Sequence, residues 1–256
     1  MRRLLLIGIG AGDPEHVTVQ AVKAMNTVDV FFVIDKGLDK VDLTRLRTEI
    51  CERYIEHDLW RIVDIPDPER DRAAPAYRAA VAAWREQRAE RLEQAIEREL
   101  GEDACGALLV WGDPSLYDST LAVVERIVAR GRVALAYEVI PGITSVQALT
   151  ARHRVPLNRV GGEVRITTGR RLREGLSDAD ENVVVMLDAE CSFKALAGED
   201  IDIWWGAYVG TPEEILIAGK IDDVADEIER VRAEARARKG WIMDTYLLRR
   251  REVGER

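Results

Sequence analysis

The chain has 256 residues and a formal net charge of −9 at pH 7. This length permits one large domain or two modest ones, each with a sizeable hydrophobic core. With 47% hydrophobic and 32% charged residues, the composition is that of a soluble globular protein and excludes a disordered one. Non-specific nucleic-acid binding depends on basic surface, so the acidic balance argues against a nucleic-acid partner.

The cysteines and histidines are few and scattered. Cys51, Cys105 and Cys191 are far apart and include no CxxC pair, and the three histidines have no metal-ligand spacing. We therefore expect neither a disulfide framework nor a metal site, and we expect a reducing, cytoplasmic location. No apolar run reaches the roughly 18 residues that span a bilayer, which predicts no membrane partner.

The first half of the chain alternates strand and helix patterns. An apolar run ends in a glycine-rich turn, Thr18 is placed to cap the next helix, and β-branched or aromatic runs mark further strands. The predicted strands cover residues 4–7, 28–34, 61–65, 107–110 and 133–140, and the predicted helices cover 18–26, 70–100 and about 118–130.

The helix predicted over 70–100 carries an apolar stripe that is interrupted at Arg88. Such a stripe is typical of an amphipathic helix that covers one face of a sheet. A helix lying on a membrane surface is the alternative, but the charges here are mixed rather than basic, which disfavours it. The residues of the stripe are Tyr77, Val81, Trp84, Leu92 and Ile96.

The second half contains one helix pattern, through Val224, Ile228 and Val231, and strands over 165–168, 182–187, 203–209, 215–221 and 243–248. We predict an α/β protein of two domains, with a mostly parallel sheet in residues 1–142 and a mixed sheet in 143–256. A hinge is expected near Gly142, with a ligand-binding cleft between the domains.

Three predicted strands end at glycines, in the segments Gly8–Asp13, Trp111–Asp113 and Ile140–Gly142. Glycine lets the backbone approach a ligand without interference from a Cβ atom, and ligands of open α/β sheets bind beyond the carboxyl ends of the strands. The first segment departs from the dinucleotide motif Gly-x-Gly-x-x-Gly because its sixth residue is Asp13. A carboxylate there would repel pyrophosphate, so the pattern favours a ligand with little or no phosphate.

Two carboxylates follow predicted strands of the first sheet. Asp35 ends the second strand and Asp113 follows the fourth, so both are expected at the same sheet edge. They are candidates for accepting a proton or for holding an ammonium group or a ribose. The alternative is that they cap turns, as Asp often does before Pro.

Taken together and in order, Gly8–Asp13, Gly112–Tyr117 and Pro141–Ser145 resemble the tetrapyrrole methylase family. The similarity extends to 182–188 and 210–215 and so covers nearly the whole chain. The resemblance implies two α/β domains and S-adenosylmethionine as methyl donor for a porphyrin-like or corrin precursor. It is strongest to the members of aerobic cobalamin biosynthesis that methylate precorrin-5 at C1 and release acetate.

Residues whose chemistry suits the substrate side are Asp35, as a proton acceptor, together with Lys36, Arg170, Arg171 and His153. The resemblance implies roles for a further set of residues. The residues implied in binding the methyl donor are Trp111, Gly112, Asp113, Leu116, Thr144, Ser145, Met186, Tyr208 and Val209.

Arg170 and Arg171 could clamp carboxylates of a tetrapyrrole, or they could simply belong to a solvated turn. The family usually forms homodimers, so a homodimer is a further expectation. Two other functions stay open: a methylase of the same fold that modifies protein or RNA, and a non-catalytic ligand-binding module.

Overall fold

A computed structural model describes residues 1–35, 41–68, 77–177 and 179–251. The chain divides into two compact units, Met1–Thr144 and Ser145–Arg256. Each unit is an α/β structure built on one five-stranded sheet.

The first unit contains an entirely parallel sheet. Its strands are β1 (Arg2–Gly8), β2 (Val30–Asp35), β3 (Arg61–Pro66), β4 (Cys105–Val110) and β5 (Leu135–Ile140). Its helices are α1 (Val19–Met25), α2 (Val41–Tyr54), α3 (Tyr77–Glu99) and α4 (Thr120–Arg130). The strand order is β3-β2-β4-β1-β5, so β1 lies between β4 and β5 and all three end at the same edge.

Strand β1, between β4 and β5, is apolar on both faces because helices cover both faces of the sheet. Leu4 and Leu6 belong to one buried cluster, whereas Leu5 and Ile7 belong to another on the opposite face. This alternation follows from the two-residue period of a strand. A continuous apolar run is typical of a parallel strand that is buried on both sides.

The interruption in the apolar stripe of α3 is filled by an ion pair. Arg88 is buried and donates to both carboxylate oxygens of Asp67, each at 2.6 Å, and its guanidinium lies 4.0 Å from the ring centroid of Trp84. Leu92 and Ile96 pack in the same cluster as the sheet residues. The prediction of a helix that covers one sheet face is therefore confirmed.

The second unit contains a mixed sheet. Its strands are β6 (Val164–Thr168), β7 (Asn182–Met186), β8 (Ile201–Ala207), β9 (Ile215–Lys220) and β10 (Asp244–Arg250). Its helices are α5 (Ser145–His153), α6 (Gly169–Leu172) and α7 (Ile221–Lys239). The order is β6-β7-β10-β8-β9, in which β6 and β7 are parallel and the other neighbours are antiparallel.

The structure corrects several predicted element bounds. The strand predicted over 203–209 ends at Ala207 because Tyr208 turns out of extended conformation with φ +49°. Helices α2, α5 and α6 were not predicted. Thr18 confirms its predicted role, since its side-chain oxygen accepts a hydrogen bond from the N–H of Ala21 at 3.1 Å.

Within the described ranges, none of the helices is long and apolar enough to cross a membrane.

Candidate active site

The loops after β1 and β4 are joined by backbone hydrogen bonds at the carboxyl edge of the parallel sheet. The N–H of Gly112 donates to the carbonyl oxygen of Gly10 at 2.8 Å, and the N–H of Gly10 donates back to Gly112 at 3.3 Å. Ile9 donates to Val110 at 2.9 Å, which continues the ladder beyond the strand end. This edge is where an open parallel sheet binds its ligand.

The glycines in these loops have two different uses. A Cβ atom on Gly142 would lie 2.2 Å from the carbonyl oxygen of Gly112 and 2.8 Å from the Cα atom of Gly8. A Cβ atom on Gly8 would likewise lie 2.6 Å from the backbone nitrogen of Gly142. At Gly8 and Gly142 the missing Cβ atom is therefore needed for close contact between backbone segments, and the approach of a ligand to these two glycines stays a prediction.

Gly112 differs from its neighbours. Its φ is +68°, and an added Cβ atom would meet only the Cα atom of Thr144, at an ordinary contact distance of 3.7 Å. Gly112 is thus required by its left-handed backbone rather than by close packing.

Asp113 braces two of these loops. Its carboxylate accepts hydrogen bonds from the backbone N–H of Ser115 and from that of Gly142, each at 2.8 Å. Burial by itself would raise the pKa of Asp113, but the hydrogen bonds from Ser115 and Gly142 outweigh it and hold the pKa below the ordinary carboxyl value. This geometry matches the turn-capping interpretation.

The sequence motif Asp113-Pro114-Ser115 predicts one of these two hydrogen bonds, because an Asp side chain commonly accepts from the backbone N–H two residues further on. Sequence reasoning missed Gly142 as the second partner because the two residues come from different loops. Leu116 follows in the same turn and is half-buried, and Tyr117 after it is 46% exposed with φ +51°.

The remaining candidates of the first unit have simpler settings. Trp111 is half-buried directly after β4, and Thr144, also half-buried, is the last residue of the unit. Asp35 is the last residue of β2, in register with Pro66 of β3. Its side chain and the whole of Lys36 lie outside the described residues.

In the second unit, the candidates fall at three places. Ser145 is the first residue of α5, and Met186 is the last residue of β7, in register with Thr245 of β10. Tyr208 and Val209 are buried in the core. The hydroxyl of Tyr208 donates to the carbonyl oxygen of Trp241 at 2.6 Å.

The two arginines of α6 are exposed and directly follow β6. Arg171 forms an ion pair with Glu174 at 2.8 Å. His153, another residue with possible substrate-side chemistry, has its Nε2 atom 3.0 Å from the carbonyl oxygen of Trp205, and burial lowers its pKa.

Leu187 and Asp188, which directly follow β7, were missed by the sequence reasoning. Leu187 is an exposed leucine with φ +55°, and Asp188 is buried in a network of hydrogen bonds. An Asp directly after a strand is only a weak sequence signal of a functional position. Nothing in the sequence indicates that a leucine will adopt a positive φ.

Across the described ranges, no group of three or more His, Cys, Asp or Glu side chains is arranged to hold a metal ion. Cys51, Cys105 and Cys191 are free and buried. Burial raises the thiol pKa of Cys51 to about 12 and that of Cys191 to about 11, so neither is a ready nucleophile.

A parallel sheet with interlocked glycine loops at its carboxyl edge, followed by a mixed sheet, defines an α/β enzyme class in which strand-end loops build the site. Residues 3–225 match the model of the Tetrapyrrole (Corrin/Porphyrin) Methylases, and the chain belongs to this family. It is therefore a methyltransferase, and the family resemblance seen in the sequence is confirmed.

Individual relatives narrow the comparison. The chain is 51% identical over 250 residues to the precorrin-6A synthase (deacetylating) of Sinorhizobium sp, covering 98% of this chain and 96% of that protein. It is similar to the crystal structure of a cobalamin synthesis related protein (CobF) from Corynebacterium diphtheriae, with a TM-score of 0.86 and 36% identity, covering 98% of this chain and 100% of that one.

A third comparison shows the fold alone. The uroporphyrin-III C-methyltransferase of Thermus thermophilus, solved with S-adenosylhomocysteine, matches with a TM-score of 0.60 and 17% identity. The match covers 96% of this chain and 91% of that one. These comparisons confirm the predicted fold class, a parallel sheet followed by a mixed one.

Proposed function

We propose that the chain is an S-adenosylmethionine-dependent C-methyltransferase of aerobic cobalamin biosynthesis. It methylates precorrin-5 at C1 with loss of acetate, giving precorrin-6A. The observation that carries this proposal is the 51% identity to a precorrin-6A synthase (deacetylating) across almost the full length of both chains.

The first unit supplies a rigid platform for the methyl donor. Transfer of a methyl group from a sulfonium needs an in-line approach and little covalent help, so positioning supplies most of the rate. The backbone contacts among Gly8, Gly112 and Gly142, together with the Asp113 brace, hold the loops in one arrangement. We assign donor contacts in this unit to Trp111, Gly112, Asp113, Leu116 and Thr144.

In the second unit we assign donor contacts to Ser145, Met186, Tyr208 and Val209, on the family resemblance. The burial of Tyr208 and Val209 limits what their side chains contribute without rearrangement. Met186 is half-buried at a strand end and is better placed for a donor contact than Tyr208 and Val209.

Release of the two-carbon fragment as acetate takes the oxygen of a water molecule, and the electron pair of the broken bond returns to the tetrapyrrole. This step needs a proton acceptor near the acyl group. Asp35 is our candidate because it ends a strand at the carboxyl edge of the sheet. Lys36, next to it in the chain, is a candidate for substrate binding.

The substrate bears many carboxylates, which suits Arg170 and Arg171 as its anchors. The ion pair of Arg171 with Glu174 is 60% exposed on both sides, and exposed pairs are worth about 0–1 kcal/mol, so a substrate carboxylate competes with it readily. A homodimer, a cytoplasmic location and the absence of a nucleic-acid partner stay predictions from the sequence.

The decisive experiment is incubation with precorrin-5 and methyl-labelled S-adenosylmethionine. We expect one labelled methyl group in the product and one acetate released per methyl transferred, measured by mass spectrometry and an acetate assay. Omission of the donor is the control for spontaneous loss of acetate.

Two outcomes would contradict the proposal. Donor binding without transfer to any tetrapyrrole would point to a non-catalytic ligand-binding module. Label transfer to a different substrate, or without acetate, would point to another methylase of the same fold.

A further inference from the structure

Leu187 combines two unfavourable features at the carboxyl end of β7. Its backbone is left-handed, with φ +55°, and its side chain is 67% exposed. A left-handed backbone is disfavoured for any residue with a Cβ atom, and Gly or Asn would relieve it. The folded chain gains little burial from this leucine, and strain of this kind is concentrated at ligand sites.

The residues on both sides hold Leu187 in place. Before it, Met186 is fixed in the ladders with Thr245 and Thr168. After it, the buried Asp188 carboxylate accepts hydrogen bonds from the backbone N–H of Ser192 at 2.6 Å and from the hydroxyl of Tyr246 at 2.6 Å. These contacts hold the backbone of Leu187 in its left-handed conformation and keep its side chain exposed.

Arg232 adds a further constraint from α7. It donates to the carbonyl oxygen of Asp188 at 2.7 Å and to the carboxylate of Asp244 at 2.8 Å. Asp188 is thus held through both its backbone and its side chain.

A cationic residue, Arg170, lies just beyond the carboxyl end of β6, next to the end of β7. A Cβ atom on Gly169 would lie 2.3 Å from a carboxylate oxygen of Asp188, so the start of α6 touches the turn that carries Leu187. Arg170 is the next residue and is exposed. An apolar side chain and a guanidinium therefore follow two neighbouring parallel strands, β6 and β7, at their carboxyl ends.

We propose that Leu187 is a substrate-binding residue that packs on an apolar face of the tetrapyrrole macrocycle, while Arg170 binds one of its carboxylates. This inference rests on the proposed function. A tetrapyrrole joins a broad apolar ring to many carboxylates, which this pair of side chains matches. The purine of the methyl donor is the competing occupant, and the experiment separates the two.

The test is the Leu187→Gly variant, with Leu59→Gly as the matched control because Leu59 is 84% exposed with no left-handed backbone. We expect the KM for precorrin-5 to rise about tenfold or more in Leu187→Gly, as loss of one apolar contact predicts. The Kd for S-adenosylhomocysteine, measured by calorimetry, should stay within about twofold, and Tm should not fall because Gly relieves the strain. Leu59→Gly should leave the KM unchanged.

A weaker Kd for S-adenosylhomocysteine in Leu187→Gly would place the leucine on the donor and overturn the inference, as would an unchanged KM. If the glycine variant folds poorly, the same KM and Kd measurements are made on Leu187→Asn, because Asn also tolerates a left-handed backbone. Lack of turnover by the wild type would contradict the proposed function instead. The Kd for a metal-free, carboxylate-bearing corrin, measured by calorimetry, would then replace the KM. Equal Kd values for the wild type and Leu187→Gly would overturn the role of Leu187.

Discussion

At the scale of single residues, the three strand-end glycines show that one residue type serves two purposes. Gly8 and Gly142 allow backbone to touch backbone, whereas Gly112 is needed for its φ of +68°. A substitution at Gly142 therefore meets immovable backbone atoms. A substitution at Gly112 mainly strains the backbone, and its side chain would enter the space in which we place the methyl donor.

We predict that Gly112→Ala lowers the free energy of unfolding by about 1–2 kcal/mol, the cost of a left-handed backbone. Gly131→Ala is the matched control, since Gly131 has φ +64° and nothing within 4 Å of an added Cβ atom. Urea unfolding should give similar losses for both variants, but calorimetry should show weaker S-adenosylhomocysteine binding only for Gly112→Ala. Equal donor affinity in the two variants would remove Gly112 from the donor site.

At the scale of elements, the ten strands found in the described part of the chain were all predicted from apolar periodicity and turn residues, although several bounds shifted by one or two positions. Helix α2 was missed because its sequence is mostly polar and charged, with only a few apolar positions such as Ile50 and Cys51 to mark a buried face. The ion pair of Arg88 with Asp67 was missed for a different reason. An arginine in an apolar stripe looks like a gap until its partner from another segment is known.

We predict that Arg88→Met destabilises the protein by about 3 kcal/mol, because removing one member of a buried ion pair leaves the other uncompensated. The value is near the low end of the expected range since Asp67 keeps 18% of its side chain exposed. Arg98→Met on the same helix is the control, because Arg98 is 70% exposed and its pair should be worth about 0–1 kcal/mol. If urea unfolding gave similar losses of unfolding free energy for the two variants, the buried Arg88 pair would stabilise the protein no more than the exposed Arg98 pair does.

At the scale of the whole molecule, the donor assignment makes a prediction about heat stability. A ligand at 100 times its Kd adds about 2.7 kcal/mol to the folded state. For a protein of this size that corresponds to a rise in Tm of roughly 5–10 °C. We expect S-adenosylhomocysteine to produce such a shift in a thermal melt, and NAD at the same concentration to produce none.

A shift with NAD and none with S-adenosylhomocysteine would contradict the donor assignment. If the two units melt separately, both transitions should shift, because donor contacts are assigned in both units.

The amino-acid sequence by itself determined the α/β class, the strands and the family, because apolar periodicity and glycine turns are local patterns. The tertiary structure decided what those residues do: Gly142 touches Gly8, Asp113 reaches the N–H of Gly142, and Arg88 meets Asp67. It also decided that Leu187 stays exposed in a left-handed turn. Each of these depends on distances between segments far apart in the chain, and spacing along a sequence does not contain those distances.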